Sequence, residues 1–173
     1  MKKEILSILF RYILIILADL GNLYIFYKLL TPLTIQAIRF ILSIKGEEVI
    51  VKGTSIATNS TAIVFLVPAC VAGAAFYLLF ILVFSTPKIK PVKKIAILAY
   101  SFVLLFLFNI TRIIFLFSII GQPNFEIIHW IFWNLVSTIF VVGIWLSAVY
   151  IFKIKETPVY SDFNYMINFV KSK

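Results

Sequence analysis

Residues 95–120 read IAILAYSFVLLFLFNITRIIFLFSII. A helix needs about 20 mostly apolar residues to cross a bilayer, and this run exceeds that. Asn109 and Arg112 interrupt it. A permanent charge at that depth costs several kcal/mol unless it is paired or faces a cavity. Arg112 therefore reads either as a functional cation or as one half of a structural ion pair.

The rest of the chain agrees with a membrane reading. Of its 173 residues 62% are hydrophobic, and the mean hydropathy is +1.08. That leaves too few polar side chains to clothe a soluble domain. An all-α, polytopic bundle is expected as one domain, with four spans at about 5–30, 62–84, 95–120 and 127–152. Pro32 is expected to end the first span. Residues 33–44 are too short to cross and carry Gln36 and Arg39, so they predict an interfacial helix on the outer side. The net charge of +9 is concentrated at the termini and in the loop Ser85–Lys94. Lys2, Lys3, Lys88, Lys90, Lys93, Lys94, Lys153, Lys155, Lys171 and Lys173 can all lie on one side. The positive-inside rule makes that side cytoplasmic. These lysines mark topology rather than a nucleic-acid partner. Arg11 is close enough to the inner end to snorkel back.

Residues 45–61 form the sizeable polar loop on the outer side. Its β-branched stretch Val49–Ile56, with Gly53 inside it, predicts a short hairpin whose edges can dock an extended peptide. Val49, Gly53 and Ile56 are the candidate substrate-binding positions. Asn59-Ser60-Thr61 is a glycosylation sequon. Trp130 and Trp133 fit an aromatic belt near the outer boundary. In the tail, 153–173, residues 161–170 predict an amphipathic helix on the inner surface.

Cys70 and His129 are each the one residue of their type. At about 1.5 Å rise per residue, Cys70 and Arg112 sit level, some 12 Å below the outer boundary, with His129 above them. A thiol nucleophile, a fixed cation and a titratable imidazole suit acyl transfer. Taken singly, a lone membrane cysteine also reads as a small buried hydrophobe, and a lone histidine as an interfacial polar residue. Ala69, Ala72, Gly73, Ala74 and Ala75 around the thiol permit close approach of a neighbour. Asn109 shares Arg112's face and is a supporting candidate. So is Tyr77, placed seven residues from Cys70 on the same helical face. Asp19, with Asn22 on its face, reads two ways: as the partner of Arg112, or as a protonated acid bonding between helices. One cysteine excludes an internal disulfide and a thiolate-cluster metal site. No metal and no organic cofactor is expected.

Val67-Pro68-Ala69-Cys70, Asn109-Ile110-Thr111-Arg112 and His129 at the head of the last span together resemble the exosortase/archaeosortase family of membrane transpeptidases. The loop before the cysteine adds Gly46, Val49, Gly53 and Ile56, similar to that family's glycine and aliphatic spacing. The likeness covers about residues 45–150. It departs at Val71-Ala72-Gly73, where family members often carry Ser or Thr and then Gly. The resemblance implies a membrane cysteine transpeptidase with Cys70, Arg112 and His129 as catalytic set. Its expected partner is the C-terminal sorting signal of secreted proteins, cut near the outer face. Its acceptor is expected to be a lipid-linked amine. Hydrolysis by the same thiol, or a non-enzymatic transporter or scaffold with Arg112 in a polar path, are the competing readings. The oligomeric state stays open.

Overall fold

The computed structural model describes residues 2–19, 23–59 and 64–171. The described chain is mainly helical, with one small sheet. Its elements are α1 (Lys2–Asp19), α2 (Tyr24–Ile44), β1 (Val49–Lys52), β2 (Ser55–Thr58), β3 (Val64–Phe65), α3 (Pro68–Val71), α4 (Gly73–Ser85), α5 (Pro91–Ser118), α6 (Phe125–Ile131), α7 (Ser137–Ile151) and α8 (Tyr160–Lys171). A π-helical turn, Phe132–Val136, joins α6 to α7. Asn22, and Ser60 and Thr61 of the sequon, lie outside the described residues.

Among the described residues, three helical stretches are long and apolar enough to cross a membrane: Tyr24–Ile44, Pro91–Ser118 and Phe125–Ile151. Two of the four expected spans are therefore corrected. The expected 5–30 span is not one helix. α1 spans Lys2–Asp19, and α2 begins as a separate helix at Tyr24. Leu23 then opens α2 in a left-handed conformation (φ 60°). Pro32 does not stop a helix but lies inside α2, and the expected interfacial segment 33–44 is that helix's second half. Proline in a helix interior costs about 3 kcal/mol. The packing of Leu30, Thr34, Ile38 and Leu42 in one inclined stripe offsets it, while Gln36 and Arg39 stay exposed on the opposite side. The expected 62–84 span keeps only α4, whose 13 residues reach about 20 Å. β3, the extended Leu66-Val67 and the four-residue α3 replace its outer part.

Three apolar clusters order the bundle from end to end. Ile38, Leu42, Ile56, Leu66, Ile110, Ile113 and Phe117 pack beneath the sheet. Val71, Phe76, Leu79, Leu105, Val141 and Ile144 fill the middle. Val83, Ile97 and Ala148 close the far end. Thus α2 and α5 run toward the sheet, and α4 and α7 run away from it. Large apolar side chains such as Ile25, Leu29, Leu78, Val103, Leu107, Val142 and Leu146 remain exposed around the bundle. Water would not tolerate so broad an apolar surface on a monomer, whereas lipid does.

The far end also gathers the basic segments. Lys88 pairs with Glu156 at 3.1 Å. That contact holds the Glu156 carboxyl below its usual range, chiefly through the hydrogen bond from Lys88. Arg11 does not snorkel free, as its position suggested. It is buried, and one of its terminal nitrogens donates to both Asp162 oxygens at 2.7 and 2.8 Å. This clamps α8 to α1.

The expected hairpin is present. β1 and β2 are antiparallel, with Val49 opposite Thr58 and Lys52 opposite Ser55. The two-residue loop Gly53-Thr54 closes them, and Gly53 takes φ +62° there, which favours glycine. β3 pairs antiparallel on the other side of β2, giving the order β1-β2-β3.

Candidate functional site

Cys70 is held where a strand turns into a broken helix. Val67 is extended, Pro68 opens α3 with its φ already set for a helix, and the Cys70 N–H donates to the Val67 carbonyl at 2.8 Å. Ala72 then adopts φ 59° and ends α3. α4 restarts at Gly73, where a Cβ would come within 2.6 Å of the Tyr27 ring. A left-handed alanine costs on the order of 1–2 kcal/mol, so surrounding packing must hold it. Non-helical backbone at membrane depth is tolerated where it lines a cavity.

The carbonyls that this break leaves free are taken up by α5. Asn109 Nδ2 donates to the Cys70 carbonyl at 2.9 Å. Arg112 Nη2 donates to the carbonyls of Cys70 and Ala69, each at 3.3 Å, and Nη1 to Ser137 Oγ at 2.8 Å. The Ser137 hydroxyl in turn donates to the Phe132 carbonyl at 2.9 Å, five residues back across the π-turn. The buried guanidinium is therefore balanced by backbone dipoles and a hydroxyl. Its Nε and Asn109 Oδ1 are buried without a hydrogen-bond partner among the described residues. The Cys70 thiol is within electrostatic reach of the guanidinium.

A cavity of about 340 Å³ opens beside this cluster, and Cys70, Arg112 and His129 all line it. Residues Val64 to Val67 form one wall, Leu116, Phe117 and Ile120 of the α5 end another, and Phe125, Phe132 and Trp133 a third. His129 stands half-buried on α6, its ring stacked on Phe125 with centroids 5.6 Å apart and planes 9° from parallel. The arrangement puts a thiol, a cation and an imidazole around an apolar space large enough for a few peptide units.

The structure does not bring every candidate here. Arg112 does not pair with Asp19: the guanidinium's partners are Ser137, Ala69 and Cys70. Asp19 is exposed on α1, close enough to Tyr77 to act on it electrostatically. Tyr77 donates its hydroxyl to the Ile15 carbonyl at 3.0 Å and does not line the cavity. The break at Ala72 removes the helical face it was expected to share with Cys70. Val49, Gly53 and Ile56 do not line the cavity either. Ile56 is fully buried beneath the sheet, Val49 packs on the same cluster, and Gly53 makes the turn. Two participants escaped sequence reasoning. Ser137 had only its polarity in an apolar span to mark it, and β3 is too short to leave a pattern.

No family model, no curated protein and no solved structure matches the chain.

Proposed function

We propose that this chain is a membrane-embedded cysteine transpeptidase of the exosortase/archaeosortase kind. The observation that carries the proposal is the convergence of Cys70, Arg112 and His129, from three separate segments, on one cavity. In this reading the Cys70 thiol gives its proton to His129 as the sulfur attacks a substrate carbonyl carbon. Arg112 stabilises the oxyanion. The carbon–nitrogen bond breaks, His129 returns the proton to the leaving amine, and a thioester remains on Cys70. An acceptor amine then attacks the thioester. Its proton passes through His129 to the departing sulfur, and a new amide is released. Asn109 and Ser137 are positioning residues: one fixes the Cys70 backbone, the other the guanidinium.

The substrate is the C-terminal sorting signal of secreted proteins, and the acceptor a lipid-linked amine. The basic end of the bundle is cytoplasmic and the cavity lies near the outer face, with lysine asymmetry as support. The fourth passage of the chain, α3 with α4, is a broken crossing whose upper part is the site. The test is to replace wild type in its host by Cys70→Ala and to follow secreted proteins by mass spectrometry. Precursors retaining their C-terminal hydrophobic segments should accumulate, while the variant stays in the membrane at normal level. Unaltered processing ends the proposal. The mass of the mature C-terminus in the wild-type host separates an amine acceptor from water.

A further inference from the structure

We infer that the open edge of β3 binds the substrate as an added strand, with Phe65 as the residue that pairs with its main chain. β3 is last in the sheet order, and among the described residues nothing pairs with its outer side. Its parity is fixed. The Leu66 N–H donates to the Thr54 carbonyl at 2.9 Å, and Phe65 lies opposite Ser55. Hydrogen-bonded and non-hydrogen-bonded pairs alternate in an antiparallel ladder, so the N–H and C=O of Phe65 turn away from β2.

Phe65 itself lines the cavity. Val64, Phe65, Leu66 and Val67 line it as one continuous run that leads through Pro68 and Ala69 to the nucleophile. Apart from Cys70, Arg112 and His129 the other lining residues are apolar, and Phe65 is 65% exposed. An extended peptide offers the Phe65 N–H and C=O a matching donor and acceptor at each alternate residue. The occupant is therefore an uncharged, apolar peptide segment in extended form. This rests on the transpeptidase reading and adds how the scissile carbonyl is brought to Cys70. It also moves the docking edge from the hairpin to β3.

The experiment uses the full chain in detergent, with alkylation of Cys70 as readout and Cys70→Ala as blank. Iodoacetamide reports the thiol alone. N-acetyl-Ala-Ala-Val chloromethyl ketone, which alkylates sulfur with loss of chloride, reports a docked peptide. Phe65→Pro removes the outward N–H, and proline is accepted at such an edge position. It should react with iodoacetamide as wild type does and with the peptide probe about ten-fold more slowly, the loss of one or two hydrogen bonds. Phe65→Ala, which keeps the N–H, should stay within a few-fold. A probe methylated on its amide nitrogens tests the same bonds on unaltered protein, and should label wild type at least as slowly. Equal labelling by plain and methylated probes, or by Phe65→Pro and wild type, overturns the strand pairing and leaves the nucleophile standing. A wild-type dimer that Phe65→Pro dissociates would assign the edge to a second copy and overturn it too. A Cys70 that resists iodoacetamide as well would end the catalytic reading and this inference with it.

Discussion

The Arg112 guanidinium and the Asn109 amide meet on the same acceptor, the Cys70 carbonyl, at 3.3 and 2.9 Å. The cation thus holds the backbone of the cysteine it is proposed to assist. Structure and chemistry are coupled at this one oxygen, and variants of either side chain will report on both.

Arg112→Lys tests the coupling. A single ammonium cannot reach Ser137, Ala69 and Cys70 with the geometry of a planar fork. We expect processing to fall by about 10²–10³-fold, as for loss of one oxyanion donor, with a thermal midpoint lower by only a few degrees. Normal processing with poor accumulation of Arg112→Met would make the arginine structural instead.

Ser137→Ala removes one hydroxyl that accepts from Arg112 and donates to Phe132. Stability should drop by about 1 kcal/mol. Processing should fall more than stability explains, and Ser137→Thr should restore most of it. The ratio of rates for Thr and Ala at this position is the measurement; equal rates would limit Ser137 to shaping the π-turn.

Gly73→Ala should destabilise by about 1–3 kcal/mol, the usual range for overpacking. The added methyl meets the Tyr27 ring, which packs against the central apolar cluster. Thermal unfolding of Gly73→Ala, Tyr27→Ala and the double variant forms a cycle. The double variant should be more stable than the sum of the two losses.

Arg11→Met strands Asp162 in a buried position. Removing one partner of a buried pair costs about 3–5 kcal/mol, whereas an apolar replacement of both is often neutral. Arg11→Met should therefore melt early and lose α8 to protease, and Arg11→Met with Asp162→Leu should recover.

Orientation is open to a labelling test in a Cys70→Ala background. Thr54→Cys and Lys90→Cys place thiols on exposed positions of the hairpin loop and the lysine-rich loop. An impermeant maleimide on intact cells should label position 54 and not position 90. The opposite pattern would invert the topology.

What could be read from the sequence follows from which forces leave periodic marks. Hydropathy over 95–120 and 127–152 anticipates α5 and the α6–α7 stretch closely, because burial in lipid acts on every residue of a span. The hairpin is legible from β-branched residues around Gly53. Cys70, Arg112 and His129 stand out as singular chemistry in an apolar setting. The break at Ala72 leaves no such mark, since nothing in an alanine-rich stretch announces a left-handed residue. Pro32 misleads in the opposite direction: local propensity argues for a stop, and tertiary packing overrides it. Asp19 reads as a partner of Arg112 only if 5–30 is one unbroken helix that carries it to the same depth. Because α1 and α2 are separate helices, that depth count does not apply. Main-chain carbonyls, which accept from Arg112 Nη2, are present at every position and so cannot be singled out in a sequence.

The pair between Arg11 and Asp162 joins residues 151 positions apart, and this orders events during synthesis. The ribosome delivers Arg11 well before Asp162, so the guanidinium lacks its counter-charge until α8 has been made. Until then it must reach the aqueous boundary by stretching its side chain. Only a chain completed through α8 can draw that cation inside and close the basic end of the bundle. A product truncated before α8 keeps an unpaired arginine on α1.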